Sequence, residues 1–545
     1  MQPTLNPFFV FTLAVAVSML LIPLVRRFAP RFGLLDQPDP RKVHSTPVPR
    51  VGGWGITIGC LVPLLLSFRL DPLMQSFVLG SLVLFAFGVW DDSKQLGHWT
   101  KFIGQIFAVA VVVLHGDLYV SRLPFFAPDA VSPALGKAFT MFAMIGAINA
   151  MNHSDGLDGL AAGESLLSLI AIAVLGYVVG DSLAVGIALA AIGGILGFLR
   201  YNSYPARVFM GDGGSQVLGF TLAFLVVYLT QVANTAISAA LPLLLLGLPI
   251  ADIVAVLFQR IKGRMNWFKA SRNHAHHRLL ELGFDHYESV IVIYTVQAAL
   301  VVSAILLRYE SDFAVATCYC AVVGGLFAVL IAAERRGFKL RRNTRRSRVA
   351  TAIGALAASD ALRDGPLLVI LSAVPSFMLL GALWVGTVPH DFAVVAGILA
   401  AVVAAEMVRS RGGDSLLVRA SVYAAAIFSA YLFVNYPGVA AEPVRFVGQV
   451  TVLTLAGAIV IYMRFAAKQE FGTTPTDYLI VFGVLALAVF SGVEVNSRSV
   501  VELVALSTVL LYGCEVMIGQ RSRSAMLHLA TLGTLAILAV RGALS

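Results

Sequence analysis

The sequence predicts an all-α polytopic membrane helix bundle, and three observations carry that expectation. Hydrophobic residues make up 58% of the 545 positions and charged residues 13%, a balance too apolar for a soluble globule of this length. Apolar runs of about 18 to 22 residues, enough to span roughly 30 Å of hydrocarbon as helix, recur from Phe8–Val25 to Met526–Val540, about eighteen in all. With the N-terminus outside, 32 of the 39 Lys and Arg fall in loops on one side, as the positive-inside rule requires.

The first run has Pro23 near its end, with Arg26 and Arg27 after it, and has neither a charged n-region nor a small-residue cleavage site, so a retained helix is expected. About eleven spans are expected in residues 1–333. A missed span would invert every later loop, so the charge alternation supports this count. Residues 334–365, with the run RRGFKLRRNTRRSR, form a basic cytoplasmic linker, and about seven more spans fill 366–545. The net charge of +9 is then mostly topology. The basic run reads as an anchor beside anionic lipid, and nucleic acid is not an expected partner. Cys60, Cys318, Cys320 and Cys514 show no zinc or disulfide spacing and are expected to be packing residues. No internal repeat of the kind found in many transporters stands out.

Four conspicuous polar clusters fall on the inner side. Asp91 and Asp92 end an apolar run, where an acidic pair repels itself unless a cation or proton is shared; the plain alternative is a solvated helix end. Asn152, Asp155 and Asp158 lie in NHSDGLDG between two apolar segments, and charge at a membrane edge points to a cavity or ligand. Any helical turn there sets both aspartates on one face, and Gly156 and Gly159 permit close backbone approach. Capping by Asp155 is the competing explanation.

Asp212 stands among glycines in RVFMGDGGS, just before an apolar span. Such backbone suits a phosphate at a helix start, and the aspartate beside it suits a metal ligand; a tight turn with an N-capping aspartate is the alternative. Carboxylates without cysteine favour Mg²⁺, or Mn²⁺, over zinc. His274, His276 and His277 lack the spacing of the common zinc helix. Among Arg264, Lys269, Arg272 and Arg278 they suit a phosphate or pyrophosphate clamp, with a solvated basic loop or zinc as alternatives. Lys42, Arg50 and His44, in the proline-rich loop from Leu35 to Gly53, are placed to meet a lipid phosphate, or act only as topology signals. Proline keeps that loop extended. Together these residues describe a metal-carboxylate site suited to phosphoryl transfer at a membrane face.

RKVHSTPVPRVGG, GVWDDSKQLG, NHSDGLDGLAAG, RVFMGDGGS and NHAHHRLLELG resemble, in order and separation, the motifs of the polyprenyl-phosphate N-acetylhexosamine-1-phosphate transferases. The resemblance covers about residues 8–333. It implies transfer of a sugar 1-phosphate from a UDP-sugar to undecaprenyl or decaprenyl phosphate, with release of UMP and use of Mg²⁺, at the cytoplasmic face of the inner membrane. It implies that Asp212 is the metal ligand and that Asp91 and Asp92 are an acid-base or metal-organising pair. Asn152, Asp155 and Asp158 match the family's essential loop, and His274, His276 and His277 match its basic motif for donor phosphates. The HxHH form resembles the N-acetylglucosamine branch more than the muramoyl-pentapeptide branch. Ser271 and His153 depart from the family pattern. A lipid-linked sugar transporter is the rival from another class. Residues 366–545 hold no catalytic constellation; a homodimer interface, a glycan-pathway membrane partner and receipt of lipid product stay open.

Overall fold

The computed structural model describes residues 7–38, 46–127, 131–263, 274–340, 360–410, 416–438, 441–465, 498–520 and 524–544. Lys42, His44, Arg264, Lys269, Ser271 and Arg272 lie outside them. The chain divides into two compact units, 1–344 and 345–545. Among the described residues, twelve helices are long and apolar enough to cross a membrane, and four shorter apolar helices accompany them.

In the first unit, α1 (Pro7–Phe28), α2 (Gly52–Ser67), α3 (Pro72–Lys94), α4 (His98–Ala110), α5 (Pro133–Ser154), α6 (Leu160–Val179), α7 (Ser182–Asn202) and α8 (Asp212–Tyr228) follow one another. Then come α9 (Leu241–Leu245), α10 (Gly247–Lys262), α11 (Ala275–Glu281), α12 (His286–Leu306) and α13 (Asp312–Arg335). Nine of the long apolar helices and the shorter α2 belong to this unit, against an expectation of about eleven passes; the short α9 and α10 are not among them. A hydrophobic stretch makes each pass helical because only a helix satisfies its own backbone in hydrocarbon.

Local signals set where passes begin. Asp71, Ser132, Asp181 and Ser311 each accept a hydrogen bond from an orphan amide of the helix that follows, and Asp285 with Glu288 forms a full capping box before α12. Helix α8 is the hub. It is buried from Gly213 to Tyr228 and packs against α2, α3, α5 and α6, while α1, α2 and α6 surround α7. Helix α13 turns most of its surface outward. There Cys320 is exposed and Cys318 only half-buried, whereas Cys60 is buried as expected; Cys320 lies on the outward face of α13, away from the packed interior of its unit.

Alternating passes bring the C-terminal ends of α1, α3, α5, α7 and α10 together with the N-terminal ends of α2, α4, α6, α8 and α12. Of the loop before α2, the described residues form a two-residue antiparallel ladder between Leu35–Asp36 and Val48–Pro49, and residues 39–45, between the two strands, lie outside the described ones. Arg50 then bridges in parallel to Phe209.

The second unit has six described helices: α14 (Asp360–Trp384), α15 (His390–Ser410), α16 (Leu416–Asn435), α17 (Ala441–Phe465), α18 (Arg498–Gly519) and α19 (Ser524–Leu544). The remaining apolar run of this region, within 466–497, lies outside the described residues. Arg419 of α16 pairs with Glu515 of α18 at 3.2 Å.

Candidate active site

Close backbone approach builds the site. A Cβ on Gly53 would lie 2.5 Å from the Gly214 nitrogen, and one on Gly88 2.7 Å from the Asp212 carbonyl carbon. Glycines therefore let α2 and α3 meet the first turn of α8 at backbone distance, carrying Arg50 and the Asp91-Asp92 pair to Asp212.

Lys101, in the first turns of α4, reaches into this cluster. Its Nζ is 2.7 Å from Asp91 Oδ2 and 2.6 Å from Asp212 Oδ2. Asp91 also accepts from the Leu96 amide at 2.7 Å. Asp92 faces the start of α8, where its two oxygens accept from the amides of Asp212 and Gly213 at 3.0 and 3.3 Å. Arg50 Nη1 stands 3.9 Å from Asp92 while its other terminal nitrogen bonds Asp36.

These contacts bear on two readings of the glycine-rich segment, the N-capping alternative and the phosphate at the helix start. Asp212 does not N-cap α8, because Gly211 holds that position and Asp212 is the first helical residue. Nor do the first amides of α8 wait for a phosphate: the Asp92 carboxyl group takes those of Asp212 and Gly213, at the positive end of the helix dipole. The second acid of the pair is thus built into the fold and is not a solvated helix end.

Asn152, at the end of α5, donates to Ser215 Oγ at 2.8 Å and also hydrogen-bonds Asp212. Asp155 follows as the C-cap of α5, not as an N-cap. Burial, with Asp212 and Asp158 adding repulsion, pushes its carboxyl up to about 7. Asp158 turns toward the loop after α7 and accepts from the Ala206 amide at 2.9 Å. Gly156 permits close approach as expected, but to protein: a Cβ there would sit 2.6 Å from His276 Cε1. Gly159, at φ +79°, donates to Asn202 at 2.8 Å and accepts from Tyr294 at 2.6 Å.

The histidines line up as a ladder of rings. His153 stacks on His274 at 5.6 Å, His274 on His276 at 5.7 Å, and His276 meets His277 at 4.2 Å. His274 Nδ1 lies 2.6 Å from Asp252 Oδ2 on α10. His276 is buried, and burial beside His277 drives its imidazole down to about 3, so it is neutral at pH 7. Arg278 gives its guanidinium to Glu334 of α13 in a two-point pair at 2.7 and 2.9 Å.

The structure therefore gathers Asp91, Asp92, Asp212, Asn152 and Arg50 directly, sets Asp155 within their field, and brings the His274 ladder alongside through His153. Arg278 is engaged by Glu334 and Asp158 by the loop after α7. Lys101 and Asp252 are site residues that sequence reasoning missed. Lys101 was absorbed into the topology count. Asp252, a lone acid inside the apolar run PIADIVAV, carried a usable signal, since an acid within a span is costly unless partnered.

Several known proteins are similar to this chain. The model for glycosyl transferase family 4 matches residues 74–230, which contain the two acidic motifs and Asp212. The "Probable undecaprenyl-phosphate N-acetylglucosaminyl 1-phosphate transferase" of Bacillus subtilis (strain 168) is 34% identical over 301 residues, 55% of this chain and 84% of the relative. The undecaprenyl-phosphate alpha-N-acetylglucosaminyl 1-phosphate transferase of Escherichia coli (strain K12) is 31% identical over 294 residues, 53% of this chain and 80% of the relative. The decaprenyl-phosphate N-acetylglucosaminephosphotransferase of Mycobacterium tuberculosis (strain ATCC 25618 / H37Rv) is 31% identical, with 50% and 74% covered. On these motifs, this geometry and identity across most of each relative's length, the chain belongs to the polyprenyl-phosphate N-acetylhexosamine-1-phosphate transferase family.

Proposed function

We propose that this protein transfers N-acetylglucosamine 1-phosphate from UDP-N-acetylglucosamine to a polyprenyl phosphate, releasing UMP, as the first membrane step of a cell-envelope glycan. The observation that carries this reading is the meeting of Asp91 and Asp212 on the Lys101 ammonium group, with Asp92 on the first amides of α8 and Asn152 on Ser215 beside them, at a single end of the bundle. The donor's identity draws on the names of the relatives and on the HxHH form of the histidine motif. Placement at the cytoplasmic face of the inner membrane draws on the basic loops, which crowd the end of the bundle that holds the site.

Mg²⁺ fits this donor set in one specific way. Among the described residues no group of three His, Cys, Asp or Glu side chains forms a protein-only metal cage, and Mg²⁺ commonly takes one or two carboxylates with substrate phosphates completing its shell. Asp212 would hold it, with Asp91 beside it. When bound, the ion supplies neutralising charge to the donor diphosphate. The protein's own groups do the rest: Lys101 and Arg50 place positive charge beside the phosphates, and Asn152 orients Asp212. Asp92 fixes the helix start from which Asp212 projects. A lipid phosphate oxygen attacks the β-phosphorus of the UDP-sugar and the bond to the α-phosphate oxygen breaks, releasing UMP. The second pKa of a phosphate monoester lies near 6, so the nucleophile is largely ionised at neutral pH and positioning dominates catalysis.

The test is UMP release by the detergent-purified protein with undecaprenyl phosphate, offering UDP-N-acetylglucosamine and UDP-N-acetylmuramoyl-pentapeptide in turn. Release is expected with the first and not the second. Asp212→Asn is expected to nearly abolish turnover while keeping the wild-type melting temperature. Near-normal UMP release by folded Asp212→Asn would sink the assignment of the site, and a phospho-enzyme trapped during turnover would replace direct attack with a covalent route through Asp91 or Asp92.

A further inference from the structure

An aspartate within a membrane helix is expensive unless something holds it, and Asp252 is held on both oxygens. Oδ2 lies 2.6 Å from His274 Nδ1, and Oδ1 accepts from the Ala275 amide at 2.8 Å. Asp252 is 6% exposed and His274 7%, so water competes little with either bond. An ionised carboxylate only accepts, so His274 must donate from Nδ1. That assigns its tautomer and leaves Nε2 as the working nitrogen. Nε2 makes no hydrogen bond among the described residues. The Ala275 amide is the first donor of α11, so the same carboxylate also pins the start of that helix.

The ring so fixed stacks on His153, the residue after Asn152, and His153 lies within electrostatic reach of Asp212, Arg260 and Asp252. The clamp therefore stands beside the carboxylate cluster, joined to it through one ring and one amide side chain.

We infer that Asp252 is a positioning residue, acting through His274 to aim Nε2 at the diphosphate of the bound nucleotide sugar. The inference rests on the proposed transferase reading and adds to it the carboxylate that sets the histidine's tautomer. By analogy with carboxylates that orient metal-bound histidines, whose removal costs roughly 10- to 100-fold, loss of Asp252 is expected to act on the same scale.

A double-mutant cycle on the full-length protein tests the coupling. Asp252→Asn is expected to lower kcat/KM for UDP-N-acetylglucosamine by roughly 10- to 100-fold with the KM for polyprenyl phosphate unchanged. Asp252→Glu is expected to recover part of the loss. Asp252→Asn combined with His274→Ala should be no worse than His274→Ala alone, because the carboxylate works only through that ring. Additive losses, or equal damage to the KM values for both substrates, overturn the inference. If Asp252→Asn does not fold, the cycle is run with Asp252→Glu; an effect of that variant that persists undiminished on the His274→Ala background overturns the inference as well. A wild-type protein that releases no UMP overturns the transferase reading itself, an outcome distinct from an active wild type with an additive cycle.

Discussion

Lys101 Nζ stands between two carboxylates, 2.7 Å from Asp91 and 2.6 Å from Asp212. It ties the start of α4 to the end of α3 and the first residue of α8. Without it, the other ion pair of Asp91, Asp92 and Asp212 among the described residues is that of Arg50, 3.9 Å from Asp92. Lys101→Ala is expected to lower kcat by about 10²-fold, the scale of removing one charged donor from a preorganised site. The measurement is steady-state UMP release at saturating Mg²⁺. Turnover equal to wild type would show that the ammonium is dispensable.

The glycine contacts at the heart of the site predict a sharp contrast between neighbouring positions. A methyl group on Gly53 or Gly88 meets the backbone of α8, which cannot rotate away, so Gly53→Ala and Gly88→Ala are expected to destabilise by about 1–3 kcal/mol and to displace Asp212. Gly97 has nothing within 4 Å of its would-be Cβ, and Gly97→Ala should leave both melting temperature and turnover near wild type. Thermal unfolding in detergent distinguishes the two classes, and equal tolerance at all three positions would contradict the packing described here.

His276 predicts an acid-sensitive component of stability. Its imidazole is held neutral down to about 3, whereas an unfolded histidine titrates near 6.5. The folded pKa is the depressed one, so the unfolded chain binds the extra proton first. Stability from this residue is intact above pH 6.5 and falls as pH drops toward 3. At pH 5 the loss is about 2 kcal/mol. His276→Gln should therefore show a smaller drop in stability between pH 7 and pH 5 than wild type, even if its stability at pH 7 is lower.

In the second unit, Arg419 and Glu515 form an ion pair in which the carboxylate is nearly fully buried. Arg419→Met removes this ion-pair partner from a buried carboxylate and is expected to cost about 3–5 kcal/mol, while the double change with Glu515→Met should recover most of the loss. A single variant as stable as the double would show that the other contacts of Glu515 hold its charge without Arg419.

The amino-acid sequence alone is enough to establish that the chain is a helical membrane bundle and which end of it is polar. Span length and loop charge are one-dimensional properties, and hydrocarbon leaves the backbone few alternatives to helix. It also marked Asp91, Asp92, Asn152, Asp155 and Asp212, because acids and amides beside apolar runs stand out against their neighbours. What each one does follows from how the helices pack. Asp92 and Asp212 are 120 positions apart, and nothing along the chain says that the first would accept the amides of the helix the second begins. Lys101 looked like one more basic loop residue until α4 set it between two carboxylates. The pairing of Asp252 with His274 likewise depends on α10 and α11 packing together. A residue's cost in the membrane is legible from its surroundings in sequence, whereas its partner is set by which helices touch, and that is a property of packing in three dimensions.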